Sequence, residues 1–136
     1  MKTSRSILLV EDDKDDQEFF ILALQGIENA TLYDVANNGM EALAKLQHAE
    51  VFPDLIFSDI NMPLMNGMEY LTEMARSPIM KNIPVVMLTT DRFMVELAMK
   101  LGARACIEKP ADEKTLRNRL EQMISLNCSE TNLSNR

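Results

Sequence analysis

Apolar runs of strand length alternate along this chain with longer stretches of helical period, five pairs in all, the pattern of an α/β fold with a mostly parallel sheet. Ser6 to Val10 reads as a strand buried on both faces, and it stops abruptly at the acids Glu11, Asp12 and Asp13. A second strand is expected over Leu32 to Ala36. A third, Leu55 to Ser58, runs straight into Asp59. The fourth, Val85 to Leu88, ends in Thr89, Thr90 and Asp91, and a short fifth, Ala105 to Glu108, is followed by Lys109 and Pro110.

Helices fill the intervals. Asp15 or Asp16 is expected to cap the first, because a carboxylate accepts the free N–H groups of a first turn, and Gly26 to end it near Gln25. The turn Asn37, Asn38, Gly39 precedes a helix from Met40 to about His48, and the loop Asn61 to Gly67 precedes one over about Met68 to Ala75. A fourth runs from the Thr89–Asp91 region to Leu101, where Gly102 stops it. The last spans about Asp112 to Leu126 with Leu116, Leu120, Met123 and Ile124 inward, before a polar tail, 127–136, that is expected to fray.

A chain of 136 residues with 46% hydrophobic residues fits one domain with one real core, and the ordered part is expected over about 6–126. The net charge of -7 argues against nucleic acid and anionic membranes as partners. The longest apolar run, Phe19 to Leu24, is far below the roughly 20 residues that span a bilayer. The start of the chain lacks a signal-peptide core, so a cytoplasmic location is expected. Cys106 and Cys128 form neither a CxxC pair nor a disulfide framework and read as reduced thiols.

In open α/β sheets ligands bind beyond the carboxyl ends of the strands. That rule gathers Glu11 with Asp12, Asp59, Thr89 and Lys109 on one surface. Carboxylates crowded together repel unless a cation joins them, and all-oxygen donors favour Mg²⁺, for which Asp12, Asp59 and the backbone carbonyl of Asn61 are the candidate ligands. A carboxylate can also attack phosphorus once the charge on the transferring group is neutralised. Asp59 is placed to do so, with Lys109 pairing one phosphoryl oxygen and Thr89 hydrogen-bonding another.

Four separated motifs, Val10 to Asp13, Ser58 to Gly67, Leu88 to Thr90 and Glu108 to Pro110, together resemble response-regulator receiver domains over about residues 6–126. The resemblance implies a flavodoxin-like (βα)5 three-layer sandwich with a parallel sheet of order 2-1-3-4-5. It also implies that Asp59 is the phosphoacceptor, Glu11 and Asp12 the acidic pair at the metal, Thr89 the switch hydroxyl and Lys109 the phosphate-binding lysine. The partners it implies are a histidine kinase or histidine phosphotransfer protein upstream and a further protein downstream, with the chain a monomer or a phosphorylation-dependent homodimer. The acidic start from Glu11 to Asp16 is further similar to a subgroup of short stand-alone receivers, some of which serve phytochrome-type kinases. No output domain follows Leu126, so onward signalling is expected through another protein, and self-dephosphorylation is the only catalysis expected.

Two positions depart from the family pattern. Cys106 stands where receivers often carry Tyr or Phe, and reads as a small buried hydrophobe. Thr90 replaces a commonly smaller residue and adds bulk beside the site, which is expected to slow access of water or donor. His48 reads as a surface or capping residue, and Met62, Met65 and Met68 as core filler ahead of an exposed docking set. A flavin-binding electron carrier is disfavoured because the acids after the first strand would repel a flavin phosphate. A receiver-shaped interaction module that works without phosphorylation is the alternative, and it usually lacks one of the acceptor, acid or lysine positions, all of which are present here.

Overall fold

A computed structural model describes residues 4–62 and 65–128. The strands are β1 (Arg5–Val10), β2 (Ala30–Ala36), β3 (Leu55–Asp59), β4 (Val85–Thr89) and β5 (Ala105–Glu108). Between and after them lie α1 (Lys14–Gln25), α2 (Gly39–Gln47), α3 (Gly67–Arg76), α4 (Val95–Lys100) and α5 (Glu113–Cys128), with a 3-10 turn, Arg92–Met94, leading into α4. All four strand pairings are parallel and the sheet order is β2-β1-β3-β4-β5. This is the flavodoxin-like (βα)5 arrangement expected from the motifs.

Two cores sandwich the sheet, and strand alternation assigns residues between them. Ile7 and Leu9 of β1, Leu55 and Phe57 of β3, and Val86 and Leu88 of β4 join Phe20, Ala23 and Leu24 of α1 and Leu116, Leu120 and Ile124 of α5. Their neighbours Leu8, Val10, Ile56, Val85 and Met87 point the other way, to Ala42 and Leu46 of α2, Tyr70, Leu71 and Met74 of α3 and Ala98 of α4. Both faces of the central strands are thus dry, which is why they read as unbroken apolar runs. The rings of Phe20 and Phe57 meet at 5.4 Å, tilted by 56°. Burying side chains of this size contributes about 1.5–3 kcal/mol each.

Several boundaries move from their expected places. Asp13, not Asp15 or Asp16, caps α1: it is extended, and its carboxylate accepts the Asp15 N–H at 2.9 Å, leaving Asp15 and Asp16 inside the first turn. β2 begins at Ala30, as its pairing with Arg5 in β1 extends it backward. Gly39 is already helical, because the Asn38 side chain caps α2 by accepting the Glu41 N–H. Asn66 and Glu69 form a reciprocal capping box that starts α3. α4 is shorter than the pattern suggested, since its first turn winds as 3-10. α5 runs through Asn127 and Cys128, residues expected in the tail. Pro63 and Leu64, and residues 129–136 of the tail, lie outside the described residues.

Met62 is buried, and Met65 and Met68 pack against the same core, as expected for filler. Exposed His48 is the C-cap of α2. Gly102, after α4, has φ +114°, a conformation that a side chain disfavours. Among the described residues, no helix is long and apolar enough to cross a membrane.

Candidate functional site

Strand register brings the chemistry together. Val10 pairs with Ser58, so Glu11 emerges beside Asp59, and Asp59 itself pairs with Leu88 of β4. Leu9, Phe57 and Ile107 face the α1/α5 core, and continuing each alternation by two residues aims Glu11, Asp59 and Lys109 to that side as well. The backbone supports the placement: Lys109 N–H donates to the Thr89 carbonyl at 2.9 Å and Glu11 N–H to the Ala36 carbonyl at 2.9 Å.

Glu11, Asp12 and Asp59 each offer a carboxylate oxygen, all within 4.8 Å of one another, a donor set that could hold a metal ion. Glu11 is 2% exposed and Asp59 8% exposed. Burial, and then the charge of Asp59, push the Glu11 carboxyl up to about 7, although Lys109 pulls it down. Burial also raises Asp59, against the opposing pull of Lys109. On Lys109 burial works to lower the ammonium, but the charges of Asp59 and Glu11 outweigh it and hold it well above the ordinary lysine value. Burial and mutual repulsion thus work against full ionisation of the carboxylates, and the Lys109 ammonium works for it.

Lys109 Nζ lies 3.1 Å from Glu11 Oε1, 3.3 Å from Asp16 Oδ2 and 3.2 Å from Asp59 Oδ1. Asp59 Oδ1 also accepts the Ile60 N–H at 2.9 Å. These groups open into a cleft of about 670 Å³ whose walls include Asp15, Asp16, Asn61, Thr90 and the apolar Phe19 and Phe20. Asn61 lines the same cleft as Glu11 and Asp59. The Thr89 side chain is not turned to them: its hydroxyl donates to the Asp91 carbonyl at 3.2 Å and accepts the Asp91 N–H at 2.8 Å. Alternation explains this, because Thr89 lies opposite in phase to Leu88, toward the α2/α3/α4 side where half-buried Cys106 also packs. Thr90, which is exposed, lines the cleft.

Asp16 and Gln17 escape a reading of the sequence, and Gly67, the last residue of the second motif, has a backbone role that the motif does not state. Asp16 is expected from the sequence as a solvated cap, yet it bonds Lys109. The inward stripe Phe20, Ala23, Leu24, carried back one turn, lands on Asp16 and would place it on the sheet side. Buried Gln17, next to it, donates through Nε2 to the Glu11 carbonyl at 2.6 Å and to Asn37 Oδ1 at 2.9 Å, bracing the acidic turn against β2. Gly67 donates its N–H to the Ile60 carbonyl at 2.7 Å, and a Cβ there would stand 2.7 Å from the Asp59 carbonyl oxygen. No side chain fits so close to the end of β3.

A doubly wound parallel sheet with an acidic, metal-capable pocket and one lysine at its carboxyl edge defines a class of α/β proteins built around that edge. A family model described as the response regulator receiver domain matches residues 7–121, and this chain belongs to that family, the receivers of two-component systems. It is 35% identical over 130 residues to the transcriptional regulatory protein CpxR homolog of Haemophilus influenzae, covering 93% of this chain and 53% of that relative. The chain thus spans about half of that relative's length. It is 32% identical to the chemotaxis protein CheY1 of Helicobacter pylori, covering 88% of this chain and 98% of CheY1. Among solved structures, the phosphorylated cyanobacterial phytochrome response regulator RcpA superposes with a TM-score of 0.81 at 29% identity, covering 93% of this chain and 96% of RcpA.

Proposed function

We propose that this protein is a phosphoacceptor receiver in which Asp59 takes a phosphoryl group from a phosphohistidine of a histidine kinase or phosphotransfer protein. The observation that carries this reading is the contact of buried Asp59 with Lys109 at 3.2 Å inside a three-carboxylate cluster. That cluster suits Mg²⁺, held by Glu11, Asp12 and Asp59 with the backbone carbonyl of Asn61 as a further donor. The bound ion would neutralise charge on the transferring phosphoryl group. In the transfer an Asp59 carboxylate oxygen bonds to phosphorus, the phosphorus–nitrogen bond of the donor breaks, and the imidazole leaves and recovers a proton from water. Lys109 offers an N–H to one phosphoryl oxygen.

The added charge gives the Thr89 hydroxyl a stronger acceptor than the Asp91 carbonyl. Leaving Asp91 would disturb the turn into α4, and through it the face formed by α4, β5 and α5, which is the proposed output surface for a downstream protein. Half-buried Cys106 would take the place of an aromatic gate on that side. The likeness to a receiver solved in its phosphorylated form supports the acceptor role. In this reading the chain acts as one cytoplasmic receiver domain whose only catalysis is slow self-dephosphorylation.

Mass spectrometry after incubation with a small acyl phosphate and Mg²⁺ tests the proposal. Wild type is expected to gain one phosphoryl mass, and Asp59→Asn none. Absence of uptake by wild type would overturn the reading in favour of a phosphorylation-independent module.

A further inference from the structure

Three carboxylates surround the Lys109 ammonium, and two of them have tasks in the proposed reaction: Asp59 accepts the phosphoryl group and Glu11 belongs to the metal cluster. Asp16 has neither. It stands in the first turn of α1 at the cleft wall with its side chain 46% exposed, and its Oδ2 accepts a hydrogen bond from Lys109 at 3.3 Å. The second hydrogen bond of the ammonium goes to Glu11 Oε1 at 3.1 Å.

An ammonium carries three hydrogens. With two engaged by Glu11 and Asp16, the third is left for the Asp59 side, where the 3.2 Å approach brings the charges together. A phosphoryl oxygen arriving on Asp59 would meet that hydrogen with the ammonium already in place. A flexible four-carbon stem does not hold such a position by itself, because each free torsion spreads the charge over several rotamers. Glu11 is a poor sole anchor, since a divalent cation drawn to the cluster competes for the same carboxylate and repels the ammonium. Asp16 lies outside the cluster that could hold the ion. Lys109 is also the one cation among the described residues that line the cleft, so no other side chain there can substitute for it.

We infer that Asp16 is a positioning residue: its carboxylate ties the Lys109 ammonium to α1 and keeps it aimed at the phosphoryl site of Asp59 when a metal ion occupies the acidic cluster. The inference rests on the phosphoacceptor reading and adds to it a residue outside the four motifs.

The test compares Asp16→Asn, Asp16→Glu and Asp15→Asn in the full chain, with a small acyl phosphate as donor and Mg²⁺ present. Asp16→Asn is expected to lower the saturating rate of phosphoryl uptake about tenfold, the scale of one charge-assisted hydrogen bond, with the donor KM unchanged. Asp16→Glu should recover most of the rate. Asp15→Asn removes the same charge from the same wall without touching Lys109, and it should not slow uptake. Uptake by Asp16→Asn as fast as or faster than wild type would overturn the inference, because Asp16 would then act only by repelling the anionic donor. A loss equal in Asp16→Asn and Asp15→Asn would overturn it too. Carbon-detected NMR of the Lys109 ε-methylene supplies a readout without phosphorylation: its resonance should shift in Asp16→Asn and return in Asp16→Glu. If wild type takes up no phosphate the receiver reading falls, and the NMR comparison still decides whether Asp16 positions Lys109. An unmoved resonance in Asp16→Asn overturns that.

Discussion

Lys109 reaches across the end of β4 to lie 3.2 Å from Asp59 at the end of β3, although their strands are not neighbours in the sheet. The ammonium is drawn there because the carboxylates of Glu11, Asp16 and Asp59 converge on it, and a cation among them lowers the cost of burying their charge. It therefore occupies the same electrostatic basin that a divalent ion would seek.

Competition between these two cations is measurable. Lys109→Gln should tighten Mg²⁺ binding several-fold, as the cluster keeps its negative charge and loses its internal counter-charge. Isothermal titration calorimetry checks this. In chelator the same variant should be less stable than wild type by about 1–3 kcal/mol, because the carboxylates are left unpaired, and Mg²⁺ should recover much of the loss. Weaker Mg²⁺ binding by the variant would show that Lys109 organises the cluster more than it competes for it.

Gly67→Ala should damage the site through the backbone. Its Cβ would stand 2.7 Å from the Asp59 carbonyl oxygen and 2.9 Å from Ile60 Cα, so the end of β3 has to move. A loss of about 1–3 kcal/mol is expected, with weaker Mg²⁺ binding. Gly102→Ala meets nothing within 4 Å and pays only for its φ of +114°. It should cost stability and leave metal affinity unchanged. Chemical denaturation and calorimetry on the pair separate the two effects.

Tyr70 is fully buried in α3, and its hydroxyl has no hydrogen-bond partner among the described residues. Burial holds its phenol far above the usual tyrosine range. Tyr70→Phe removes a desolvated polar group while keeping the ring, so it should be neutral or raise stability by up to about 1 kcal/mol. A clear loss in urea unfolding would show that the hydroxyl is satisfied.

Cys106 is half-buried, and burial raises its thiol above the ordinary value of 9.0. For an acid that is neutral when protonated, a raised pKa means that the reactive thiolate is scarce at neutral pH and grows only as pH passes the raised value. Alkylation by iodoacetamide in Cys128→Ser should thus be slower than for a free thiol at about pH 8, and the gap should close as pH rises or on unfolding. Peptide mapping follows it. Rapid modification of Cys106 at neutral pH contradicts the burial account.

Asp59, Glu11, Asp12 and Lys109 were legible in the sequence because each follows an apolar strand, and parallel strands deliver such residues to one edge. The buried strands were legible for the same reason, their two-sided burial leaving unbroken apolar runs. Helix starts were less so. Asp13, Asp15 and Asp16 are chemically equal, and only the extended backbone at Asp13 decides which of them caps α1.

The sequence by itself thus determined the sheet, the acidic edge and the identity of its lysine, since strand period and strand ends are local properties of the chain. Tertiary structure alone decided what those groups touch. The packing of α1 on the sheet turned Asp16 from a solvated cap into a partner of Lys109, and strand phase turned the Thr89 hydroxyl to Asp91, away from the carboxylates. Both outcomes depend on how a helix and a strand are rotated about their own axes against their neighbours. The phase of each is written locally, in the apolar stripe of α1 and the alternation of β4, but which polar neighbour it then meets is set by packing across the core.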